Sequence, residues 1–341
     1  MLRSLLLALL LALLAACQTT SPRSGGGQAD LRIVVIGDLN SSYGSVTYEP
    51  EVHQAIRLIR EEWRPDLVLA AGDLIAGQRP SLSDDNVRAM WAAFDSVVAR
   101  PLREARIPFG FTLGNHDGSA YPAHQRDRAL AVEHWRSPAH HPGVAFVDST
   151  HFPLYYSFRQ GPVFVLVWDA SFEGTVEQLP MMQWVREQLA GEPARTARHR
   201  VALGHLPLYA VAEGRNRPGE VLQEPDSLRR ILERHRVDTY ISGHHHAYYP
   251  GRRGALELLH TGALGQGPRP LLESSLPPQK TVTILDYYFR ADSISYSTYA
   301  VGAGGGLRLV DIAELPPVIH GINGHVVRRD LPDARAPIFR P

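Results

Sequence analysis

Short, mainly apolar runs alternate along this chain with longer stretches whose apolar positions recur every three or four residues. Leu31 to Ile36, Leu67 to Ala71 and Ile107 to Leu113 are such runs, and Gly37, Gly72 and Gly114 follow them. Between them, Glu49 to Trp63 sets Val52, Ile56 and Ile59 at helical spacing and stops before Pro65, and Asp84 to Arg106 reads as a second helix, bent near Pro101. Strands without apolar–polar alternation are buried on both faces, so this order predicts an α/β protein with parallel-rich sheet covered by helices.

The same rhythm returns later. Ala123 to Arg136 is helical in pattern, and Tyr155 to Arg159 with Val163 to Trp168 predicts a hairpin around Gln160-Gly161-Pro162. An amphipathic helix follows from Glu177 to Leu189, then a strand from Val201 to Leu203, a helix from Pro225 to His235 and a strand from Val237 to Ile241. Leu256 to Leu259, Thr281 to Tyr287 and Ile294 to Tyr299 predict three further strands, of antiparallel type. Beyond residue 300 the Gly- and Pro-rich sequence predicts no element.

Polar residues gather where the strands end. Asp38, Asp73, Asn115 with His116, His205, and His244 with His246 each follow an apolar run, most of them directly after a Gly. Open α/β sheets bind ligands at the carboxyl ends of their strands. Carboxylate, amide and imidazole together suit divalent ions of intermediate hardness, and a site with a surplus of metal charge attracts an anionic phosphate ester. In an extended segment His244 and His246 point the same way and His245 points opposite.

Composition narrows the alternatives. The 341 residues are 44% hydrophobic, enough for one large domain or two small ones. Formal net charge is zero, which gives no electrostatic case for binding nucleic acid. A lone cysteine, Cys17, excludes an intrachain disulfide framework. It closes a short apolar run from Leu5 to Leu14 that follows Arg3, and such a run is too short to span a bilayer and reads as a signal peptide. Leu14-Ala15-Ala16-Cys17 resembles the bacterial lipobox, with residues 1–16 removed and Cys17 carrying lipid. The alternative is an ordinary secretory signal with an incidental Cys. Acyl chains at ~0.8 kcal/mol per buried methylene would hold the protein on a membrane. Gln18, with no Asp there, points to the outer membrane of a bacterial envelope, facing the periplasm. Residues 17–30 form a flexible tether, 31–300 the folded domain and 301–341 a C-terminal extension.

The ordered series Gly37-Asp38-Leu39-Asn40, Gly72-Asp73, Gly114-Asn115-His116-Asp117, Gly204-His205 and Gly243-His244-His245-His246 resembles the calcineurin-like metallophosphoesterase family. The resemblance covers nearly all of the chain after the tether. It implies a four-layer α/β/β/α sandwich with metal ligands at strand carboxyl ends, and two divalent ions (manganese, iron, magnesium or zinc). It implies hydrolysis of a phosphomonoester or phosphodiester small molecule, by in-line attack of a metal-bridged hydroxide. By the same resemblance Asp73 bridges the metals, Asp38 and His246 hold the first, and Asn115, His205 and His244 hold the second. His116 stabilises or protonates the leaving oxygen. Asp117 either orients His116 or forms a turn.

This chain departs from the family at Asn40, where many members have His. A harder amide oxygen there, or a missing ligand, weakens the first site and shifts it from zinc toward manganese, magnesium or iron. Two other readings therefore stand beside the enzyme: a binding lipoprotein on a degenerate phosphoesterase scaffold, and an acid phosphatase of the purple type. Purple acid phosphatases also lack that His but carry a Tyr ligand three residues after the second Asp, where this chain has Ala76. Tyr43, Tyr48, Arg79, Arg215 and Arg217 lie in loops after ligand-bearing strands and are candidate substrate contacts. Trp168 with Asp169, and the remaining histidines, read as core or surface.

Overall fold

The structure is a computed structural model that describes residues 28–171 and 180–332. The leader and most of the tether, and the first residues of the helix expected from Glu177, lie outside the described residues. Along the chain, β1 (Leu31–Ile36), β2 (Leu67–Ala70) and β3 (Phe109–Phe111) alternate with helices. They are followed by β4 (Ala145–Asp148), β5 (Tyr156–Gln160), β6 (Val163–Val167), β7 (His199–Leu203), β8 (Thr239–Ser242), β9 (Tyr249–Arg253) and β10 (Leu256–His260). The last strands are β11 (Thr281–Tyr288), β12 (Ser293–Val301), β13 (Leu307–Leu309), β14 (Val318–Gly321) and β15 (Gly324–Arg328).

Among the described residues these strands make two sheets. One runs β13-β12-β11-β1-β2-β3, and the other β14-β15-β9-β10-β8-β7-β6-β5-β4. Strands β1, β2 and β3 are parallel, as are β6, β7, β8 and β10, while the outer strands are antiparallel. The strand Leu256–His260 thus pairs parallel with β8 on one side, and antiparallel with β9 on the other.

Side-chain alternation on β1 explains the layering. Leu31, Ile33 and Val35 pack with Tyr156, Phe158 and Val165 of the second sheet, whereas Val34 and Ile36 pack under Val52, Ile56, Met90 and Trp91 of the covering helices. On the far side, Met182, Val185, Leu228 and Ile231 from the helices Pro180–Ala190 and Pro225–Arg234 join the second sheet's core. Helix, sheet, sheet, helix is the four-layer order the family resemblance implies.

The long helix expected from Asp84 to Arg106 is one path with a change of winding. An α-helix over Asp84–Phe94 widens to a π-turn at Asp95–Ala99 and resumes at Arg100–Glu104. Pro101 has no N–H to donate to the carbonyl four residues before it, and the wider turn absorbs that defect. The segment after residue 300 is built into the fold. β13 extends the first sheet, and the β14–β15 hairpin attaches to β9 of the second. No helix of the described residues is long and apolar enough to cross a membrane.

Candidate metal centre

Parallel strands end on a common edge, and here the carboxyl ends of β1, β2 and β3 meet those of β7 and β8. The first two loops are tied together through backbone. Asp38 N–H donates to Gly72 O at 3.0 Å, and Leu39 N–H donates to Asp73 O at 2.8 Å. Asp38, Asp73, His244 and His246 all adopt left-handed backbone, with φ of 50°, 52°, 64° and 53°. Each such residue costs roughly 1–3 kcal/mol unless its surroundings fix it, and strain of this kind concentrates at functional sites. A bend, rather than an extended strand, therefore carries the three histidines. His244 and His246 turn to two neighbouring clusters, and His245 is fully buried, with Nε2 at 3.0 Å from Glu220 O.

Asp73 is at the centre. Ligand atoms of Asp73, His205 and His244 lie within 4.8 Å of one another, and so do those of Asp38, Asp73 and His246. Asn115 completes the first group: its Oδ1 is 2.9 Å from both His205 Nε2 and His244 Nδ1. Gln78, which sequence reasoning passed over, accepts from Asn115 Nδ2 at 2.7 Å and so turns the amide oxygen inward. Two glycines make room. A Cβ on Gly114 would overlap Asp73 Oδ1, and one on Gly72, at φ +88°, would stand 2.5 Å from His205 Nδ1.

Each of the three histidines has its outer nitrogen held by an acceptor. His205 Nδ1 is 2.7 Å from Ala71 O, His246 Nδ1 is 3.0 Å from Gly267 O, and His244 Nε2 is 2.8 Å from Glu220 Oε2. Holding one ring nitrogen this way turns the other toward the cluster, as in metal-bound histidine. Glu220 was not foreseen, because it lies in an irregular loop far in sequence from His244. Its own charge is secured by Arg215 and by Arg217 Nη2 at 2.8 Å. The two arginines considered as substrate contacts are thus committed to Glu220.

Electrostatics fit cations. Burial drives the His244 ring down to about 3 and the His246 ring down to about 4, so both are neutral and able to ligate. Burial also raises Asp38, to about 7. His205 is opposed by burial but carried up to about 9 by Asp73. Burial works against Glu220 as well, yet His244 and the two arginines hold it well below the usual carboxylate range. Asp38 Oδ2 and Asn40 Oδ1 are both buried and have no hydrogen-bond partner. Buried polar oxygens require partners, and a cation between Asp38, Asn40, Asp73 and His246 would satisfy these two. The residues present fit two metal ions, with Asn40 Oδ1 an available donor beside Asp38 in sequence.

His116 stands apart from the donor clusters. Its N–H donates to Asp73 Oδ1 at 2.9 Å, its Nδ1 is 3.2 Å from Gly77 O, and its Nε2 is 3.9 Å from Asp73 Oδ2. The Tyr43 ring covers it at 5.0 Å. Asp117 does not orient His116. Its carboxylate accepts from the backbone N–H groups of Leu74 at 2.8 Å, Ile75 at 2.9 Å and Gly114 at 2.8 Å, which ties the β2 loop to the β3 loop. The assignment of Asp117 to catalysis is corrected accordingly: both oxygens serve the backbone. Tyr48 donates to Leu74 O at 2.8 Å, Trp168 is buried in the core, and Asp169 pairs with Arg128. Arg79 lies exposed.

A family model for calcineurin-like phosphoesterases matches residues 31–248. The chain belongs to the calcineurin-like phosphoesterase family. Similar curated proteins include "Probable purple acid phosphatase 20" of Arabidopsis thaliana, 27% identical over 237 residues, covering 69% of this chain and 49% of that one. Another is purple acid phosphatase 22 of the same plant, 28% identical over 186 residues, covering 54% and 38%. The chain therefore spans half or less of the length of these relatives. Among solved structures, a purple acid phosphatase from yellow lupin seeds superposes with TM-score 0.56 at 14% identity, covering 82% of this chain and 52% of that one. GAP50 of Plasmodium, described as the anchor in the inner membrane complex, gives 0.52 at 14% identity, covering 85% and 92%. At these identities the structural likeness concerns the fold alone.

Proposed function

We propose that this member of the calcineurin-like phosphoesterase family is a metal-dependent hydrolase of phosphomonoesters or phosphodiesters. The observation that carries the reading is the pair of donor clusters sharing Asp73, together with the buried, unpartnered oxygens of Asp38 and Asn40. Asp38, Asn40, Asp73 and His246 would hold one ion, and Asp73, Asn115, His205 and His244 the other. Bound there, the ions would supply an activated water at neutral pH and neutralise the phosphoryl oxygens. His116 contributes a proton. It would do so from the imidazolium form: with Nδ1–H held by Gly77 O, the Nε2–H on the Asp73 side would be the proton given to the ester's leaving oxygen.

Metal analysis together with hydrolysis of 4-nitrophenyl phosphate and bis(4-nitrophenyl) phosphate, under manganese, magnesium, iron and zinc, tests this reading. Turnover with a hard divalent ion is expected, because Asn40 adds an amide oxygen. Less than one ion per chain with no turnover would leave the second reading, a non-catalytic binding protein on this scaffold, which Asn40 motivates. His116→Ala is expected to keep its metal and lose ~10²–10⁴ in turnover. Similarity to the two plant phosphatases favours a purple acid phosphatase as the remaining alternative, against which Ala76 is a buried apolar residue. A visible tyrosinate-to-iron absorption band in iron-loaded protein would support that alternative.

The anchoring of the protein on a bacterial outer membrane through lipidated Cys17 is part of the same proposal and rests on the sequence alone. Labelled fatty acid incorporated by the full chain in a bacterial host, and lost in Cys17→Ser, is the expected result.

A further inference from the structure

The end of the molecule opposite the candidate metal centre is cationic. β6, β7, β8 and β10 are parallel, so their first residues share one edge, and arginines stand in the segments that lead into them. Arg195, Arg198 and Arg200 surround the start of β7, Arg234 and Arg236 precede β8, and Arg159 lies where β5 turns into β6. Arg290 joins them from the turn between β11 and β12. That turn meets the second sheet through Phe289: the Arg198 guanidinium lies 5.8 Å over its ring, and His199 stacks on it at 6.1 Å. The described chain also begins here. Asp30 N–H donates to Tyr287 O at 2.9 Å, and Phe289 N–H donates to Asp30 Oδ2 at 2.7 Å. β1 then runs ~20 Å from this edge to the metal edge, where Asp38 follows Ile36.

Among the described residues none of these arginines makes an ion pair, in contrast to Arg32 with Asp286 or Arg329 with Glu257. Their hydrogen bonds go to neutral oxygens: Arg200 donates to Arg195 O at 3.2 Å and Arg236 O at 3.4 Å, Arg159 to Gly161 O at 3.3 Å, and Arg234 to Arg230 O at 3.2 Å. Arg195, Arg198, Arg234, Arg236 and Arg290 are exposed. The acids on this face are fewer. Asp238 accepts from Arg200 N–H at 2.7 Å, and Asp238 and Asp292 flank the buried His199 ring at 3.6 Å and 4.0 Å. Glu192 is exposed, while Glu233 and Glu257 are already paired with Arg229 and Arg329. Seven arginines set against Asp30, Glu192, Asp238 and Asp292 leave an excess of three positive charges, on a chain whose formal net charge is zero. Charge of one sign gathered on one face is an electrostatic footprint for a polyanionic partner.

We propose that this cationic face docks on an anionic phospholipid surface. The choice of occupant rests on the membrane anchoring proposed above, because residues 1–27 join the fold at this face and an anchor among them would hold the bilayer against it. Headgroup phosphates would lie on Arg195, Arg198 and Arg290, and the metal edge would open away from the bilayer, toward substrate arriving through water. Each basic residue close to an anionic leaflet is worth roughly fivefold in affinity, and the attraction decays over a Debye length of ~10 Å at 0.1 M salt.

Co-sedimentation with lipid vesicles is the measurement, on full chain carrying Cys17→Ser so that no lipid is attached. Vesicles of phosphatidylcholine alone read what the apolar leader contributes, and vesicles with added phosphatidylglycerol read the charged face. Binding to the anionic vesicles is expected to be about tenfold tighter or more, and to weaken as salt is raised. Arg195→Glu, Arg198→Glu and Arg290→Glu combined should abolish that preference. Arg79→Glu, Arg88→Glu and Arg308→Glu combined make the same change in net charge on other faces and should keep the preference within about threefold. Circular dichroism confirms that both triple variants are folded. No preference for anionic vesicles before the arginines are changed, equal losses in the two triple variants, or tighter binding to duplex DNA than to the anionic vesicles overturns the proposal. Fatty-acid labelling of the wild-type chain is scored separately. Arginine-dependent vesicle binding without labelling removes the lipid anchor and leaves the docking face standing.

Discussion

Replacing Glu220 should perturb one proposed metal position and spare the other. Glu220 touches no proposed metal ion. It accepts from His244 Nε2 at 2.8 Å and fixes which nitrogen faces Asn115 and Asp73. Carboxylates behind a metal-bound histidine are worth ~10–100-fold in metal affinity, or about 1.4–2.7 kcal/mol. Glu220→Gln keeps an acceptor but loses the charge, and neutral hydrogen bonds are about half as strong as charged ones. About tenfold weaker binding is therefore expected for Gln. Glu220→Ala removes the acceptor and leaves Arg215 and Arg217 unpaired near His244, so a loss near a hundredfold is expected. Manganese titration calorimetry reads the two equivalents separately. The site built on His205 and His244 should weaken while the one built on Asp38 and His246 changes by less than about threefold. Equal weakening of both equivalents, or no change in either, would refute the view that Glu220 acts through His244.

Other expectations follow from the same geometry. Asp117→Ala strands three buried backbone N–H groups, each costing about 1–3 kcal/mol. Urea unfolding should show a loss of at least 3 kcal/mol, and a loss below about 1 kcal/mol would show that water replaces the carboxylate. Asn40→His puts a nitrogen donor where an unpartnered amide oxygen lies, so competition binding should shift the first site toward zinc by tenfold or more. An unchanged zinc-to-manganese preference would place Asn40 outside the site. His134 is remote from the metals, stacked on Trp91 at 4.9 Å and His140 at 3.9 Å, with Asp95 and Arg103 nearby. Burial holds its ring down to about 3 against 6.5 in the unfolded chain, so below pH 6.5 the unfolded state binds the extra proton. Stability conferred by the neutral ring is complete above 6.5 and is lost as pH falls toward 3. His134→Phe should flatten that limb by up to about 1.4 kcal/mol per pH unit in urea melts, and an unaltered slope would be contrary.

The central strands and the polar residues that the structure gathers into candidate donor clusters were legible in the sequence because both write themselves locally. Dominantly apolar runs such as Leu31–Ile36 and Val163–Val167 read as buried strands in this context, and Gly-Asp or Gly-His directly after such runs marks the ligand edge. Less of the periphery could be read. β14 and β15 have weak patterns and owe their place to pairing with each other and with β9, a contact distant in sequence. Leu256–His260 joins β8 in parallel because β9 occupies its other side, which apolarity alone does not encode. Within the site, Glu220 and Gln78 escaped notice for the same reason: each sits in an irregular loop and acts on a residue tens of positions away. Asp117 looked chemical beside His116, yet a short helical turn carries its carboxylate back onto the backbone of the neighbouring loop.

The shared role of Asp73 is the centre of the account, and metal stoichiometry tests it most directly. Protein stripped with chelator, reloaded with manganese and dialysed should carry two ions per chain and hydrolyse a nitrophenyl phosphate ester. Asp73→Ala, prepared in the same way and shown to be folded, should carry fewer than one ion and have no measurable turnover. Two tightly held ions in Asp73→Ala, or at most one in the wild type, would contradict a dinuclear centre joined through Asp73.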